Sequence, residues 1–332
     1  MEFDDFILGG DVGGTNTHLG LFGIKKHDVR LLLPFHFRNS ETDSLHQAVN
    51  AVLGSAESRY GIRIKNACIA VAGALPHSRD SVKVTNSGWI VKKDELMKQT
   101  GLKKLLLVND FEAVGYSVNV LAPKDLMQVK KAKKIPGANS VVIGAGTGLG
   151  KSALLYDEGE KSYVPVSSEA GHSDFPAQNR HELEIADFIR KTEKIKNVSY
   201  EHLLSGSGLA RIYSFVTKVK GCKNSLGSGI KPEAISKHRK HDKACRETFG
   251  IFKTIYARFA RNCALDSLAY GGVYIAGGIA QKNMDMFDKA FIKEFENNDK
   301  LKHVLRRIPV YIITNQDAGL IGAGFAGERN LK

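Results

Sequence analysis

Cysteine and long apolar runs are both scarce in this chain of 332 residues. The four cysteines stand far apart and never as a C-x-x-C pair, which argues against a disulfide framework and against a zinc knuckle. No apolar run approaches the roughly 18 residues that a membrane span needs. The acidic start MEFDDF also lacks the basic segment and apolar core of a signal peptide. We therefore expect a soluble, cytoplasmic protein with no membrane partner.

Acidic residues are in the minority, with 35 Asp and Glu against 48 Lys and Arg, and the formal net charge is +13. Such a balance favours anionic ligands in general without specifying one. Lysines concentrate in KDLMQVKKAKKIPG, residues 124–137. This segment has no interleaved aromatic residue for base stacking and no flanking nucleic-acid motif. We interpret it as a solvated loop face and expect no nucleic-acid partner, while any other partner of this loop stays open.

Glycine is abundant, with 33 residues, and two turns are especially rich in it. The first turn is GDVGGTN, which starts at Gly10, and the second is GAGTGLG, which starts at Gly144. Each follows an apolar run and precedes a second strand-like run, which predicts strand, turn and strand. The two segments look like copies of one unit. This duplication predicts two similar lobes with a nucleotide between them.

The second turn also completes a permissive phosphate-loop pattern at Gly150, Lys151 and Ser152. A phosphate loop needs a helix that begins at its Lys-Ser pair, because the N–H groups of that helix form the phosphate cradle. Only SALLY follows before the next turn. We therefore interpret Lys151 and Ser152 as the start of a hairpin strand. The glycines before them would bind phosphate through exposed backbone N–H groups.

Asp11 lies within the first glycine-rich turn. An aspartate repels a phosphate unless a cation stands between them, so Asp11 predicts Mg²⁺, which few carboxylates hold together with phosphates and waters. Thr15 can donate its hydroxyl to a phosphate oxygen. The alternative is an ordinary hairpin with an aspartate in its turn. The second glycine-rich turn favours the functional interpretation.

Apolar strand patterns alternate with helical patterns along the rest of the chain. NACIAVAG and KLLLVND predict buried strands, and KKDELMKQTG between them predicts a helix with a glycine stop. RHELEIADFIRKTEK and CRETFGIFKTIYARFARNCALDSLAY predict longer helices in the second half. DAGLIGAGFAGERN predicts a closing helix that could return to the first lobe. This alternation is typical of an α/β fold.

Polar residues follow several of these apolar runs. Asn109 and Asp110 end one predicted strand, where α/β proteins bind ligands, although Asp110 could instead be a helix N-cap. Glu169, His172 and Glu201 offer donors and acceptors suited to sugar hydroxyls, and no second Glu-x-x-His pair completes a metal site. For His172 alone, a structural histidine is the commoner case.

GGVYIAGGI is a predicted strand that ends in Gly277 and Gly278. Paired glycines let a flat base or its ribose lie against the backbone. A simple strand-to-helix turn is the alternative, and the segment by itself does not decide between the two.

Taken in order, these segments resemble the bacterial-type glucokinase family over nearly the whole chain. The matching segments are GDVGGTN, VTNSGW, NDFEAVG, GAGTGLG, SEAGHSDF, YEHLLSGSGL and YIAGGI. The resemblance implies an α/β, two-lobed actin-like/hexokinase fold with duplicated ribonuclease H-like lobes and the active site in the interlobe cleft. We expect a small lobe of residues 1–109 plus 317–332 and a large lobe of residues 110–316.

The resemblance also implies the reaction, ATP-dependent phosphorylation of glucose, with Mg²⁺ as a further cofactor and Asp110 as general base. The residues implied to hold the sugar are Asn86, Asn109, Glu169, His172 and Glu201. Those implied to lie at ATP are Gly10, Asp11, Val12, Gly13, Gly14, Thr15, Gly144, Gly146, Thr147, Gly148, Gly277 and Gly278. Asp11 would contact Mg²⁺ through water, and the family suggests a homodimer.

The sequence departs from relatives of this family in two ways. Ser168 and Ala170 flank Glu169 where related enzymes often have glycine, so the sugar range is not defined. No cysteine occurs between Cys68 and Cys222, unlike the zinc-binding ROK kinases, so His172 is predicted to contact sugar without zinc. A kinase for glucosamine or mannose and an actin-like ATPase without a sugar substrate are the alternatives. A nucleic-acid-binding regulator would rest on net charge alone.

Overall fold

The computed structural model describes residues 3–85, 87–227 and 229–331. The chain divides into two compact units. The first comprises Met1–Asp125, Asp157–Ser167 and Asn315–Lys332, and the second comprises Leu126–Tyr156 and Ser168–Thr314. These boundaries differ from the expected lobes, since residues 110–125 and 157–167 group with the first unit.

The first unit is built on a mixed sheet. The strands of this sheet are β1 (Asp5–Val12), β2 (Asn16–Lys25), β3 (Asp28–Arg38), β4 (Asn66–Val71) and β7 (Lys104–Asn109), and their order among the described residues is β3-β2-β1-β4-β7. Two short strands, β5 (Ser81–Lys83) and β6 (Ile90–Lys92), lie between β4 and β7 in the chain and pair with each other. Strands β1, β4 and β7 are parallel, and Val12, Val71 and Asn109 lie side by side at their carboxyl ends. Residues that follow these three strands therefore emerge at one edge of the sheet.

Helices cover both faces of this sheet. They are α1 (Leu45–Tyr60), α2 (Lys93–Thr100), α3 (Asp110–Ser117) and α11 (Ala318–Asn330). Helix α1 buries Leu45, Val49 and Val52 on one face, the spacing of an amphipathic helix. Helices α3 and α11 pack through Ala113, Ala323 and other small residues in a separate core cluster. Because both faces are covered, the central strands read as continuous apolar runs.

Helix α11 packs against its neighbours at backbone distance. A Cβ atom added at Gly322 would lie 1.7 Å from the carbonyl oxygen of Ala113, and one at Gly327 would lie 2.3 Å from Ile7 Cδ1. A Cβ at Gly319 would lie 2.3 Å from Asp11 Oδ2. Glycine has a low helix propensity, but these positions of α11 require it because the neighbouring elements leave no room for a Cβ atom. The predicted return of the closing helix to the first lobe agrees with this packing.

The second unit repeats the sheet of the first. Its strands are β8 (Leu126–Lys130), β9 (Ser140–Ala145), β10 (Leu149–Asp157), β12 (Gly272–Ala276) and β13 (Val310–Ile313). Strand β11 (Ser162–Ser168) follows β10 in the chain, and most of it groups with the first unit. The order β10-β9-β12-β13 and its strand directions match β2-β1-β4-β7. Strand β8 is added antiparallel to β13. The predicted duplication is therefore present in the topology.

The helices of the second unit enclose a large aromatic core. They are α4 (Arg180–Glu193), α5 (Gly206–Lys218), α6 (Pro232–His238), α7 (Lys243–Asp266), α8 (Gly278–Lys282), α9 (Lys289–Phe295) and α10 (Lys302–Arg306). Helix α7 places Phe252, Tyr256 and Phe259 in this core, all almost fully buried. Within the described parts of the chain, no helix is both long and apolar enough to cross a membrane.

The lysine-rich segment is only partly a solvated face. Lys130 is buried, and its Nζ donates to the carbonyl oxygens of Arg306 and Ile308, each at 2.9 Å. The ammonium group of Lys134 donates to the Tyr274 hydroxyl at 2.9 Å. The interpretation as a solvated loop is therefore wrong for Lys130, because its ammonium group is buried and serves as a hydrogen-bond donor to backbone carbonyls.

Gly322→Ala is expected to destabilise the first unit, since the new methyl group would overlap the Ala113 carbonyl and separate α11 from α3. We expect a loss of about 1–3 kcal/mol or more in urea-induced unfolding. Gly54→Ala is the matched control, because Gly54 lies in α1 and an added Cβ has nothing within 4 Å. That variant should gain roughly 0.5–1 kcal/mol from helix propensity. Equal stability of the two variants would contradict this account.

Candidate functional site

The first glycine-rich turn connects β1 to β2 as predicted. Gly13 N–H donates to the Asn16 carbonyl at 3.0 Å and closes the turn. Asn39 holds it from outside, because its Nδ2 donates to the Gly13 carbonyl at 2.8 Å and its backbone N–H donates to the Thr15 carbonyl at 2.9 Å. Thr15 itself is exposed. The turn is thus a fixed loop with an accessible tip, as phosphate binding requires.

The other predicted members of this turn lie in the strand that precedes it. Val12 is fully buried and its carbonyl accepts from Ala72 N–H at 3.0 Å, so its side chain belongs to the core. Gly10 lies against Leu19, since an added Cβ would be 2.9 Å from that side chain. Gly14, by contrast, lies in the turn itself, between β1 and β2.

Three carboxylates gather at the carboxyl edge of the first sheet. Burial, followed by the charges of Asp110 and Asp317, raises the pKa of Asp11 to about 7. His18 lies opposite Asp11 on β2, and its Nδ1 is 4.0 Å from Asp317 Oδ1. Burial and the nearby His36 lower the pKa of His18, against the opposing effect of Asp317. The lowered pKa of His18 disfavours its cationic form beside the three carboxylates of Asp11, Asp110 and Asp317.

Asn109 and Asp110 occupy the junction of β7 and α3. The side chain of Asn109 caps the helix, with Oδ1 accepting from Phe111 N–H at 2.9 Å and from Glu112 N–H at 3.4 Å. The predicted alternative of Asp110 as the N-cap is wrong. Asp110 is the first helical residue, and its Oδ1 accepts from Phe111 N–H at 3.0 Å. Its carboxylate thus stays near the sheet edge and close enough to perturb Asp11.

The second glycine-rich turn has the same form in the other unit. Strands β9 and β10 pair antiparallel, with Gly144 opposite Gly150, so the turn itself comprises Gly146, Thr147 and Gly148. Gly146 N–H donates to the Gly148 carbonyl at 2.8 Å, and Gly206 N–H donates to the Gly146 carbonyl at 2.8 Å. The turn therefore lies against the N-terminus of α5.

Lys151 belongs to strand β10 and begins no helix. It is largely buried, and its ammonium group pairs with Asp266 at the end of α7. Its position in the hairpin is as predicted. The phosphate-loop pattern is therefore coincidental in structural terms, and Lys151 serves the packing of β10 on α7.

The predicted sugar-binding residues of the second unit lie on two adjacent 3₁₀ turns. Tyr200 N–H donates to the Ser173 carbonyl at 3.0 Å, which places the two segments side by side. Glu169 and His172 are both exposed, with Glu169 Oε2 3.8 Å from His172 Nε2. Glu201 Oε2 accepts from Leu149 N–H at 2.8 Å. Glu201 thereby joins the sugar-binding segment to the second glycine-rich turn.

Gly277 and Gly278 lie between β12 and α8. Gly277 has φ 91°, and a Cβ there would be 2.7 Å from the Ala145 carbonyl at the end of β9. A Cβ at Gly278 would have nothing within 4 Å. Gly277 is thus fixed by backbone geometry and packing, while Gly278 borders open space next to the second turn, where a flat ligand could lie.

Asp11 fits a Mg²⁺ ion held in part by other ligands. Among the described residues, no group of three or more His, Cys, Asp or Glu side chains is arranged to hold a metal ion by itself. Mg²⁺ commonly takes one or two carboxylates and completes its shell with waters and substrate phosphates. The crowded carboxylates near Asp11 favour a cation in the same way. The oxygen ligands present are therefore those that Mg²⁺ prefers.

Sequence reasoning missed Asp317, Asn39 and the ion pair between Arg79 and Glu112. A signal for Asp317 existed, because NQD follows the apolar run PVYIIT just as ND follows LLLV. Asn39 carried no such pattern. Asn86, predicted to contact sugar, lies outside the described residues. The predicted site residues group within each unit as stated above, and the site in the cleft between lobes stays a prediction.

The duplicated sheets, each with a glycine-rich turn, define the class of protein together with similar solved structures, which are sugar kinases with the actin-like ATPase fold. A glucokinase from an Antarctic psychrotroph is similar, with a TM-score of 0.84 and 26% identity, over 98% of this chain and 99% of that one. A ROK family glucokinase from Streptomyces griseus, in complex with glucose and AMPPNP, has a TM-score of 0.64 and 18% identity, over 98% and 100%.

Sequence comparison identifies the family. The family described as Glucokinase matches residues 8–330. The glucokinase of Shigella dysenteriae serotype 1 is 34% identical over 322 residues, which is 96% of this chain and 96% of that protein. The chain belongs to the glucokinase family. The predicted fold class and the predicted kinase activity are confirmed, and the alternative of an ATPase without a sugar substrate is disfavoured.

Asp11→Asn is expected to change how stability depends on pH in metal-free buffer. Because the folded protein raises the pKa of Asp11 to about 7, it retains a proton that the unfolded chain loses near 3.8. Stability from this group is present below pH 4 and is lost as the pH rises towards 7. The variant lacks this titration, so its thermal midpoint should exceed that of the wild type increasingly from about pH 4 to pH 7 and by a constant amount above that. A difference between the two midpoints that is constant below about pH 7 as well would contradict the raised pKa.

Proposed function

We propose that this protein transfers the γ-phosphoryl group of ATP to the 6-hydroxyl of glucose. Its membership of the glucokinase family and the polar residues at the ends of β1 and β7 support this function. The observation that carries it is the position of Asp110, which begins α3 beside the crowded carboxylate of Asp11. A base is thereby fixed on a helix next to the turn that would hold phosphate.

Asp110 would act as the general base. Its carboxylate would accept the proton of the attacking hydroxyl as the new bond from oxygen to phosphorus forms. The bond from the γ-phosphorus to the bridging oxygen breaks in the same step, and ADP leaves. In phosphoryl transfer, positioning and charge neutralisation contribute most, and general-base assistance contributes roughly 10²–10⁴-fold. The helix start supports the role of Asp110, because it holds this carboxylate at the edge of the sheet.

Among the described residues, the Asn109 side chain has one donor left for a sugar hydroxyl. Both lone-pair positions of its Oδ1 are engaged by the N–H groups of Phe111 and Glu112. One of the two Nδ2 hydrogens is directed to the Gly73 carbonyl at 3.1 Å. Since an amide nitrogen carries two hydrogens, the other is left for substrate. Asn109 would therefore recognise a hydroxyl only as an acceptor of its hydrogen bond.

Glu169, His172 and Glu201 would supply the remaining sugar contacts. The exposure of Glu169 and His172 leaves their polar atoms accessible. Glu201 uses Oε2 to hold Leu149, so Oε1 is the atom directed to other partners. A site built to bind hydroxyl groups can reject analogues that lack them by up to about 10⁴–10⁵-fold, because its own polar groups lose their partners.

The two glycine-rich turns would bind the phosphates of ATP. Their backbone N–H groups are donors that approach an anion without side-chain hindrance. Asp11 would hold Mg²⁺ in part through water, and the bound ion would neutralise charge on the phosphates. Gly278 would border adenosine, and Gly277 would fix the turn that positions it. Lys151 has no part in this arrangement, since it is committed to Asp266.

A cytoplasmic homodimer is proposed on the family resemblance. Sedimentation velocity would measure the oligomeric state directly. Kinases for glucosamine or mannose remain the closest alternative, because the residues flanking Glu169 leave the sugar range open.

Release of ADP is expected to depend on hexose and to be fastest with glucose. The measurement is a coupled assay with ATP and Mg²⁺, in which glucose, glucosamine, mannose and no sugar are compared. A kinase shows little turnover without sugar. Preference for another hexose would replace glucose as the acceptor, and equal turnover without sugar would contradict the kinase function.

Asp110→Asn is expected to bind glucose but to lose about 10²–10⁴-fold in kcat, because the amide cannot accept the hydroxyl proton. Steady-state kinetics and glucose titration by calorimetry measure the two effects. Asp28→Asn, at the exposed end of the β2-β3 hairpin, is the matched control and should keep wild-type kcat. Near-normal turnover of Asp110→Asn would contradict its role as base.

A further inference from the structure

Glu112 is a buried acid directly behind Asp110. Only 4% of its side chain is exposed, and its Oε2 accepts from Asn109 N–H at 3.4 Å. With the Asn109 side chain accepting in return from the Glu112 N–H, this forms a capping box at the start of α3. Ser167 Oγ also donates to Glu112 Oε2, at 2.9 Å. A carboxylate buried to this degree needs a cation, because an unpaired buried charge is strongly destabilising.

Arg79 supplies that cation in a two-pronged geometry. Its Nη1 lies 3.0 Å from Glu112 Oε2 and its Nη2 lies 3.0 Å from Glu112 Oε1. Nη1 also donates to the carbonyl of Leu107 in β7 at 3.2 Å. One guanidinium group therefore contacts both the strand before Asn109 and Asp110 and the helix after them.

The backbone of Arg79 is held in an unfavourable conformation. Its φ is +51°, in the left-handed region that suits glycine and that other residues rarely adopt. A residue keeps this conformation where its own turn or surrounding interactions hold it. The fork to Glu112 is an interaction of this kind, since it fixes the side chain while the Arg79 N–H donates to the Pro76 carbonyl at 3.0 Å.

The segment between β4 and β5, which carries Arg79, also contacts Asn109 directly. The Asn109 Nδ2 donates to the carbonyl of Gly73, six residues before Arg79 in the segment between β4 and β5. A Cβ at Gly73 would lie 2.7 Å from the Lys83 carbonyl, so this segment cannot shift freely. The orientation of the Asn109 amide is therefore fixed from both its oxygen and its nitrogen.

We propose that Arg79, acting through Glu112, is a positioning residue for Asn109 and Asp110. This inference rests on the proposed function, in which Asn109 contacts the sugar and Asp110 is the base. Arg79 contacts neither reactant in this role. It keeps the junction of β7 and α3 in place, and a displacement of about 1 Å at a reacting group can cost roughly 10²-fold in rate.

Arg79→Gly tests the proposal because glycine accepts the left-handed backbone and removes only the side chain. We expect kcat/KM for glucose to fall about tenfold or more, while KM for ATP stays within about twofold. Arg79→Lys keeps a cation but loses the fork, and it should show an intermediate loss. Wild-type values of kcat and of KM for glucose in Arg79→Gly would overturn the proposal.

Lys161→Gly is the matched control. Lys161 is an exposed cation of the same unit with φ +49°, in the turn between β10 and β11. The variant removes a cation from the same backbone conformation, so it should keep wild-type kinetics. An equal loss in Lys161→Gly would overturn the proposal, because the effect would then belong to charge or backbone alone.

The double variant Arg79→Gly, Glu112→Gln separates positioning from general damage. Glutamine removes the buried charge that Arg79→Gly leaves unpaired and keeps an acceptor for the capping box. We expect kcat/KM for glucose to be no lower than in Arg79→Gly, as for residues that act as one unit. The inference would be overturned if the losses of kcat/KM in Arg79→Gly and in Glu112→Gln multiplied in the double variant.

Amide hydrogen exchange at Phe111 and Glu112 gives a readout without substrate. Their N–H groups donate to Asn109 Oδ1, so they should exchange at least about tenfold faster in Arg79→Gly if the junction loosens. Unchanged exchange would overturn the proposal whatever the substrate. Absence of glucose phosphorylation by the wild type would overturn the proposed function instead, and the exchange result would still decide the role of Arg79.

Discussion

The close approach of α11 to its neighbours is the constraint on which the first unit depends. Glycines at Gly319 and Gly322 let the helix lie against Asp11 and α3 at distances that no Cβ allows. This contact fixes Asp317, the residue before the helix, near Asp11 and Asp110. The repulsion among these three acids is thus a direct result of backbone packing.

The sequence was sufficient for the features that depend on local pattern. The two hairpins, the strands ending at Val71 and Asn109, and α11 were predicted, because apolar periodicity and glycine placement report on local structure. Contacts between distant segments were not predictable in this way. Arg79 pairs with Glu112 across 33 positions, and the left-handed backbone of Arg79 has no sequence signature when the residue is not glycine.

The two copies of the sheet have diverged in what they offer a ligand. Asp11 lies one residue before the end of β1, and Gly144 holds the corresponding place in β9. The first copy therefore places a carboxylate beside its turn, while the second copy has a glycine at the same place. Lys151 completes a phosphate-loop pattern in the second copy, yet its ammonium group pairs with Asp266. A match to the sequence pattern is therefore not enough to assign this lysine to phosphate binding.

The position of α11 in the chain, after the second unit, affects the order in which the two units can complete their folding. Its residues Gly319, Gly322 and Gly327 pack on β1 and α3, yet they are made after all of residues 126–314. The second unit can therefore complete its core while the first still has one face open. A chain at that stage exposes apolar strands to solvent and to other proteins. Chaperone dependence during translation should accordingly concentrate on the first unit, although that unit is begun first.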